Sequence, residues 1–316
     1  MPFFRFSIML ILLCTKSAFA QTSIDTSMAV NIGEIKQWIN ISTKDTSKPL
    51  LLFLGGGPGD SNIDGKDYFT KKLQEQFTVV IWDQRESGKT LQLNASPVPL
   101  TVERFTQDTH ELITYLLQRF HRPKLYLVGF SWGTVLGLKM AQQYPTLLYA
   151  YVAVSQMVNQ EKSEQMLLQR LKEQAATAKN QTALQELSVV RIPFENTDEL
   201  YYDRKWLFHF TNNPVPDSVL KQYFSTYPKS LFKLGNEASK INFPEEVQSL
   251  QCPVYFFVGR NDYQTNHELT YSCYQQLKAK NKHFYWFERS AHTVPFTEPD
   301  LFQQIIIDTV LQETYK

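Results

Sequence analysis

At 316 residues, 43% of them apolar, the chain has enough material for one large α/β domain or two smaller ones, which excludes a disordered tail or a fibre. Its 32 Lys and Arg against 31 Asp and Glu leave a net charge of +1 and no basic stripe, so no nucleic-acid partner is expected. The 14% aromatic content suits an ordinary core as well as an apolar pocket.

The N-terminus reads as an export signal over residues 1–20. Arg5 supplies the positive start, Phe6 to Cys14 the short apolar stretch, and Ala18-Phe19-Ala20 a small-residue cleavage site before Gln21. The apolar stretch is short of the ~18 residues a bilayer span needs, so the expected mature chain is periplasmic or secreted, with no stable membrane insertion after cleavage. A membrane-anchoring N-terminal helix is the alternative. Cys14 would leave with the signal. Cys252 and Cys273 would then remain in an oxidising compartment, where a disulfide and two separately buried thiols are equally open readings. Neither has a neighbouring His or a CxxC partner, so no metal site is expected.

From Met28 to Thr43 the pattern is a two-stranded hairpin, closed by a polar turn ending at Pro49. Leu50 to Leu54 is a continuous apolar run, as in a strand buried on both faces, and Gly55-Gly56-Gly57-Pro58-Gly59 follows it directly. A second such strand, Phe77 to Trp82, runs into Asp83-Gln84-Arg85. Helical spacing covers Thr101 to Phe120. A third buried strand, Leu125 to Val128, leads into Gly129-Phe130-Ser131-Trp132-Gly133 and a helix that halts at Pro145, and Tyr149 to Val154 is the next strand. This alternation predicts a parallel sheet with crossover helices. Residues 156–243 change character, being polar and helical, then aromatic and punctuated by Pro. Strand texture returns at Val254 to Val258 and at Phe284 to Phe287, and a last amphipathic helix starts near Pro299.

Gly129-Phe130-Ser131-Trp132-Gly133 is a G-x-S-x-G pattern in the strand–turn–helix context its strained serine requires. A serine at its ordinary pKa is a weak nucleophile and needs a base, itself oriented by a carboxylate. Asp262 follows one downstream strand and His292 the next, so both fall on loops at the carboxyl edge of the sheet, where Ser131 also lies. His267 is the competing base and Asp83 the competing acid. An oxyanion hole needs two aimed backbone N–H groups. Trp132 supplies one, and the glycine loop the other, Gly57 first and Gly56 second. A tight turn at Gly57-Pro58 suggests a cis bond.

At these residues the sequence resembles the α/β-hydrolase superfamily and, within it, the proline iminopeptidase-like serine hydrolases, the prolyl aminopeptidases. Gly55 to Gly59 matches that family's His-Gly-Gly-Pro-Gly, Trp82 to Thr90 resembles its Trp-Asp-Gln-Arg-Gly-x-Gly-x-Ser, and Ser131-Trp132-Gly133 matches its nucleophile context. The resemblance implies an α/β-hydrolase fold, with a mostly parallel sheet, flanking helices, a core of 21–155 and 244–316, and a helical cap over 156–243. It also implies a Ser131–Asp262–His292 triad, no cofactor, and a small-molecule or short-peptide substrate. The implied activity is cleavage of an amide or ester through an acyl-enzyme, foremost release of an N-terminal proline or similar residue. A carboxylesterase for small or aromatic acyl esters and a non-catalytic ligand-binding protein are the alternatives. Three departures stand out: Gly55 replaces the family's His, Glu86 replaces a Gly, and no Trp-x-x-Trp-Glu occurs to supply an acid for the substrate's amino group. The substitutes near Trp206 are Glu195, Glu199 and Asp203.

Overall fold

The computed structural model describes residues 23–211 and 215–315. The expected export signal lies outside them. Among the described residues no helix is long and apolar enough to cross a membrane.

Eight strands form one sheet: β1 (Ile24–Ile32), β2 (Ile35–Thr43), β3 (Leu50–Leu54), β4 (Thr78–Asp83), β5 (Leu125–Phe130), β6 (Leu148–Val154), β7 (Val254–Gly259) and β8 (Lys282–Phe287). Their spatial order is β1-β2-β4-β3-β5-β6-β7-β8. β1 pairs with β2 and β2 with β4 antiparallel, and every other neighbouring pair is parallel. The hairpin starts at Ile24 rather than Met28, because Ile24 to Ser27 pair with Thr43 to Asn40 on an exposed edge that needs no apolar alternation. Gly33 and Glu34, both at positive φ, make its two-residue turn.

The continuous apolar runs are strands with both faces covered. Leu50, Leu52 and Leu54 point into a core shared with Phe105, Leu112 and Leu116 of helix α1 (Val102–Arg119) and with helix α2 (Trp132–Gln143). Leu51 and Phe53 point into the opposite core, closed by Phe302, Ile306 and Val310 of the last helix. The period-2 alternation of a strand sends successive side chains to opposite faces, so such a run is stable only between two layers of helices.

Between β6 and β7 the chain forms helices α3 (Gln160–Thr177), α4 (Gln181–Ser188), α5 (Thr197–His209), α6 (Asp217–Ser225) and α7 (Lys229–Ser239). Asn159, Asn180 and Asn196 cap the first three, each side-chain oxygen accepting the N–H three residues on. Leu167, Leu171, Ala183, Leu187 and Trp206 give this segment a small core of its own.

Cys252 and Cys273 are free thiols, so the disulfide reading is corrected in favour of two buried thiols. Both pack in the same apolar cluster, where burial pushes the Cys252 thiol up to about 11 and the Cys273 thiol up to about 12.

Candidate active site

Ser131 sits between β5 and α2 at φ 51°, ψ −120°, a conformation non-glycine residues avoid and one that costs roughly 1–3 kcal/mol. Two glycines make that turn possible. A Cβ on Gly129 would lie 2.7 Å from the Gly133 carbonyl oxygen, and one on Gly133 would collide with the Leu54 carbonyl. The elbow therefore rests directly on the backbone at the end of β3.

The Ser131 hydroxyl lies 2.9 Å from His292 Nε2, and His292 Nδ1 lies 3.0 Å from Asp262 Oδ2. A carboxylate can only accept, so Nδ1 carries the proton and Nε2 is free to accept from Ser131. The Ser155 hydroxyl donates to the His292 carbonyl at 2.7 Å and fixes the loop that carries the imidazole. Asp262 is completely buried. Its Oδ1 accepts the N–H groups of Gln264 (3.0 Å) and Thr265 (2.9 Å), and its Oδ2 accepts the Thr265 hydroxyl (2.8 Å). Burial alone would raise this carboxyl, but the charge and hydrogen bond of His292 and the Thr265 donors outweigh it and hold it at about 2.

The two rivals lie elsewhere. His267 turns Nδ1 to the Asp262 backbone carbonyl at 3.0 Å rather than to its carboxylate. Asp83 accepts the Lys89 N–H (2.8 Å) and the Ser61 hydroxyl (2.5 Å), which ties down the loop after β4.

Gly57 and Pro58 face the same cavity as Ser131 and Trp132. The Gly57-Pro58 bond is cis, in agreement with the tight turn read from the sequence. Gly57 has φ 111°, and a Cβ there would come within 2.6 Å of the Gly59 nitrogen. A Cβ on Gly56 would lie 3.5 Å from that of Ser131. Trp132 is the first residue of α2, a position whose N–H has no partner within the helix. The departures from the family pattern are accommodated locally. A Cβ on Gly55 would collide with Asn62 Oδ1, so the Asn62 side chain occupies that space, and Glu86 holds φ 56° while accepting the Ser96 N–H at 2.7 Å.

The cavity holds about 750 Å³ of empty space, open to solvent. Its walls are largely apolar, with Met157, Pro193, Phe194, Leu231 and Phe232 among them, and its polar lining includes the contacting Gln160, Glu164 and Arg204 together with Glu161. None of the four residues proposed from sequence for substrate binding lines it. Glu195 makes an exposed pair with Arg191. Glu199 is buried and accepts from Arg191 Nε and from the Glu195 N–H, closing the start of α5. Asp203 is buried behind Arg204, which it contacts, and Trp206 donates to Glu186 from within the helical segment's own core. Of the polar residues that do line it, Gln160 and Glu164 left a trace in the sequence and Glu161 did not. The buried stripe of α3 runs Gln160, Ser163, Glu164, Leu167, Leu171. Polar residues that continue an apolar stripe at helical spacing were the available signal.

Ser131, His292 and Asp262, on the loops after β5, β8 and β7 at one edge of the sheet and under helices inserted between β6 and β7, define a class. The chain belongs to the α/β-hydrolase fold family, whose model matches residues 49–299. It is 33% identical over 301 residues to probable aminopeptidase YbaC of Bacillus subtilis, spanning 89% of this chain and 94% of that protein. A solved structure of a proline iminopeptidase-related protein from Thermus thermophilus superimposes with TM-score 0.67 at 18% identity, over 92% of this chain and 98% of that one. An esterase from Exiguobacterium antarcticum superimposes with TM-score 0.61 at 13% identity, over 90% and 99%. At such identities these two structures bear on the fold alone.

Proposed function

We propose that the chain is a serine hydrolase that acts as an aminopeptidase, releasing an N-terminal proline or similar residue. The observation that carries the chemistry is the hydrogen-bonded line Ser131–His292–Asp262 opening into the cavity. In this reading Ser131 Oγ attacks the carbonyl carbon while His292 Nε2 takes its proton. The N–H groups of Trp132 and Gly57, with Gly56 beside them, stabilise the oxyanion, each worth roughly 3 kcal/mol when well aimed. His292 then returns the proton to the leaving amine, and a water deprotonated by the same imidazole frees the acyl group. Asp262 holds the tautomer and stabilises the imidazolium. Residues 156–243 act as the cap that shapes the cavity, and export of the chain past residue 20 remains part of the proposal.

The polar lining of the cavity supports an amine-terminated substrate. Glu164 is bound by Arg204, which also contacts buried Asp203, so two carboxylates share one guanidinium. Glu161 makes no ion pair among the described residues, and Gln160 Oε1 is buried with no hydrogen-bond partner. An α-ammonium group would satisfy both, while the apolar walls take the side chain. The similarity to a probable aminopeptidase points the same way.

The test sets the wild type beside Ser131→Ala and Glu161→Gln on a proline arylamide and a p-nitrophenyl ester. Arylamide cleavage is expected to vanish in Ser131→Ala. Glu161→Gln is expected to raise KM for the arylamide about tenfold and leave the ester unchanged. Ester cleavage alone would instead favour the carboxylesterase reading, to which the apolar walls are also suited.

A further inference from the structure

The tryptophan–aspartate–glutamine–arginine run at the end of β4 has no part in the chemistry above, yet one of its side chains reaches both halves of the oxyanion site. Gln84 is buried. Its Oε1 accepts the Trp132 indole N–H at 2.9 Å, and its Nε2 donates to the Gly55 carbonyl at 3.3 Å. The amide orientation is unambiguous, because an indole N–H can only donate and a carbonyl can only accept. The Gln84 backbone is itself pinned: its carbonyl accepts the Ser87 hydroxyl (2.9 Å) and N–H (3.1 Å).

The two N–H groups of the oxyanion site come from segments distant in sequence, the loop after β3 and the elbow after β5. Their stabilising power depends on holding both at fixed distance and angle from one oxygen before the reaction begins. Packing supplies part of this, since the elbow rests on Leu54 and Gly55. A carboxamide that donates to one segment and accepts from the other ties the two together through their polar groups as well.

We propose that Gln84 is a positioning residue of the oxyanion site, acting through the Trp132 side chain and the Gly55 carbonyl to set the spacing of the Trp132 and Gly57 N–H groups. This rests on the serine-hydrolase reading above. Glutamine is required because the site needs one donor and one acceptor. Leucine keeps the bulk and offers neither, and glutamate keeps the acceptor but turns a second acceptor toward the Gly55 carbonyl.

The experiment measures the rate constant and final stoichiometry of Ser131 phosphonylation by a p-nitrophenyl alkylphosphonate, followed by intact mass and nitrophenolate release. This reaction uses the same nucleophile and oxyanion donors whatever the natural substrate. Wild type is expected to label once per chain, and Ser131→Ala not at all. Gln84→Leu is expected to label to the same stoichiometry about 10- to 100-fold more slowly. Trp132→Phe, which removes the indole donor but keeps the backbone N–H, is expected to slow labelling as well, and the double variant to be no slower than the worse single one. A Gln84→Leu rate equal to wild type, or losses that multiply in the double variant, would overturn the positioning role alone. A fall in stoichiometry at unchanged rate would also overturn it, because it would mean that Gln84 merely keeps the fold intact. If wild type does not label, the serine-nucleophile reading fails and this proposal with it.

Discussion

Replacing Asp262 by Asn tests the proposed chemistry at its most enclosed point. The carboxylate faces four donors: the Gln264 and Thr265 N–H groups on Oδ1, and the Thr265 hydroxyl and His292 Nδ1 on Oδ2. A carboxylate accepts from all four, but an amide has one oxygen. If the Asn NH2 faced the two backbone N–H groups, donors would oppose donors in a buried site, at about 1–3 kcal/mol for each unsatisfied group. The oxygen therefore stays on the backbone side and the NH2 turns to the imidazole. His292 Nδ1 must then accept, its proton moves to Nε2, and the imidazole can no longer take the proton of Ser131. The expected loss in kcat is about 10⁴-fold with KM little changed, the scale set by a wrong imidazole tautomer in a serine triad. Stability falls as well. A carboxyl held at about 2 against an ordinary 3.8 contributes about 2 kcal/mol, present above pH 4 and lost as the pH falls through 2. Turnover of the arylamide or ester at pH 8, with Ser131→Ala as the floor, reads the first effect, and urea midpoints at pH 7 read the second. An Asp262→Asn enzyme that keeps a tenth of wild-type kcat would refute the assignment.

His267→Ala should change kcat less than about threefold while His292→Ala falls to the Ser131→Ala floor, since His267 reaches only the Asp262 backbone carbonyl; kinetics of the two side by side decide it. Gly133→Ala should cost about 2–3 kcal/mol in urea unfolding along with nearly all turnover, because the new methyl meets the Leu54 and Gly55 backbone and has no side chain to displace. Asp203→Asn should raise the melting temperature by about 2 °C or more at pH 8. Burial, reinforced by Glu164, lifts this carboxyl from 3.8 toward about 7, so its ionised form is a cost that appears as the pH rises through that range and fades below it, and the gain should shrink at pH 5. Alkylation after denaturation without reductant should recover Cys252 and Cys273 as separately modified peptides, while the folded protein should leave both unmodified.

What could be read from sequence and what could not divide along a physical line. Ser131 was legible because its turn is built from adjacent residues: a strand buried on both faces, two glycines forced by collisions with the chain, and a helix start. Asp262 and His292 were legible because each follows its own apolar strand, and parallel strands deliver their C-terminal loops to one edge. β1 was read short because an exposed edge strand needs no apolar alternation, and Ile24 to Ser27 has none. The cysteine pairing was undecided because two buried positions near one strand and its neighbouring helix fit a disulfide and two thiols equally well from sequence.

The acids of the helical insert show the limit most sharply. Glu199 and Glu161 occupy similar places in the first turns of their helices, where a carboxylate is favourable in any helix. Glu199 closes on Arg191 and on the N–H groups before α5, whereas Glu161 lines the cavity without an ion pair among the described residues. Their places within their own helices do not distinguish the two. The difference lies in what each meets: Arg191 comes eight residues before Glu199, while Glu161 of α3 lines the cavity together with Leu231 and Phe232 of α7. In the proposed reading, specificity is therefore set by how the inserted helices pack on one another, and that packing depends on contacts between segments about 70 residues apart. The α3 stripe is the exception that can be used. Gln160 and Glu164 take positions where a purely structural helix would carry apolar residues, and burying a polar group without a partner costs about 1–3 kcal/mol. Glu164 avoids that cost through Arg204. Gln160 Oε1 does not, and this open buried acceptor, with neighbouring Glu161 making no ion pair among the described residues, is the feature by which the proposed ammonium group would be held.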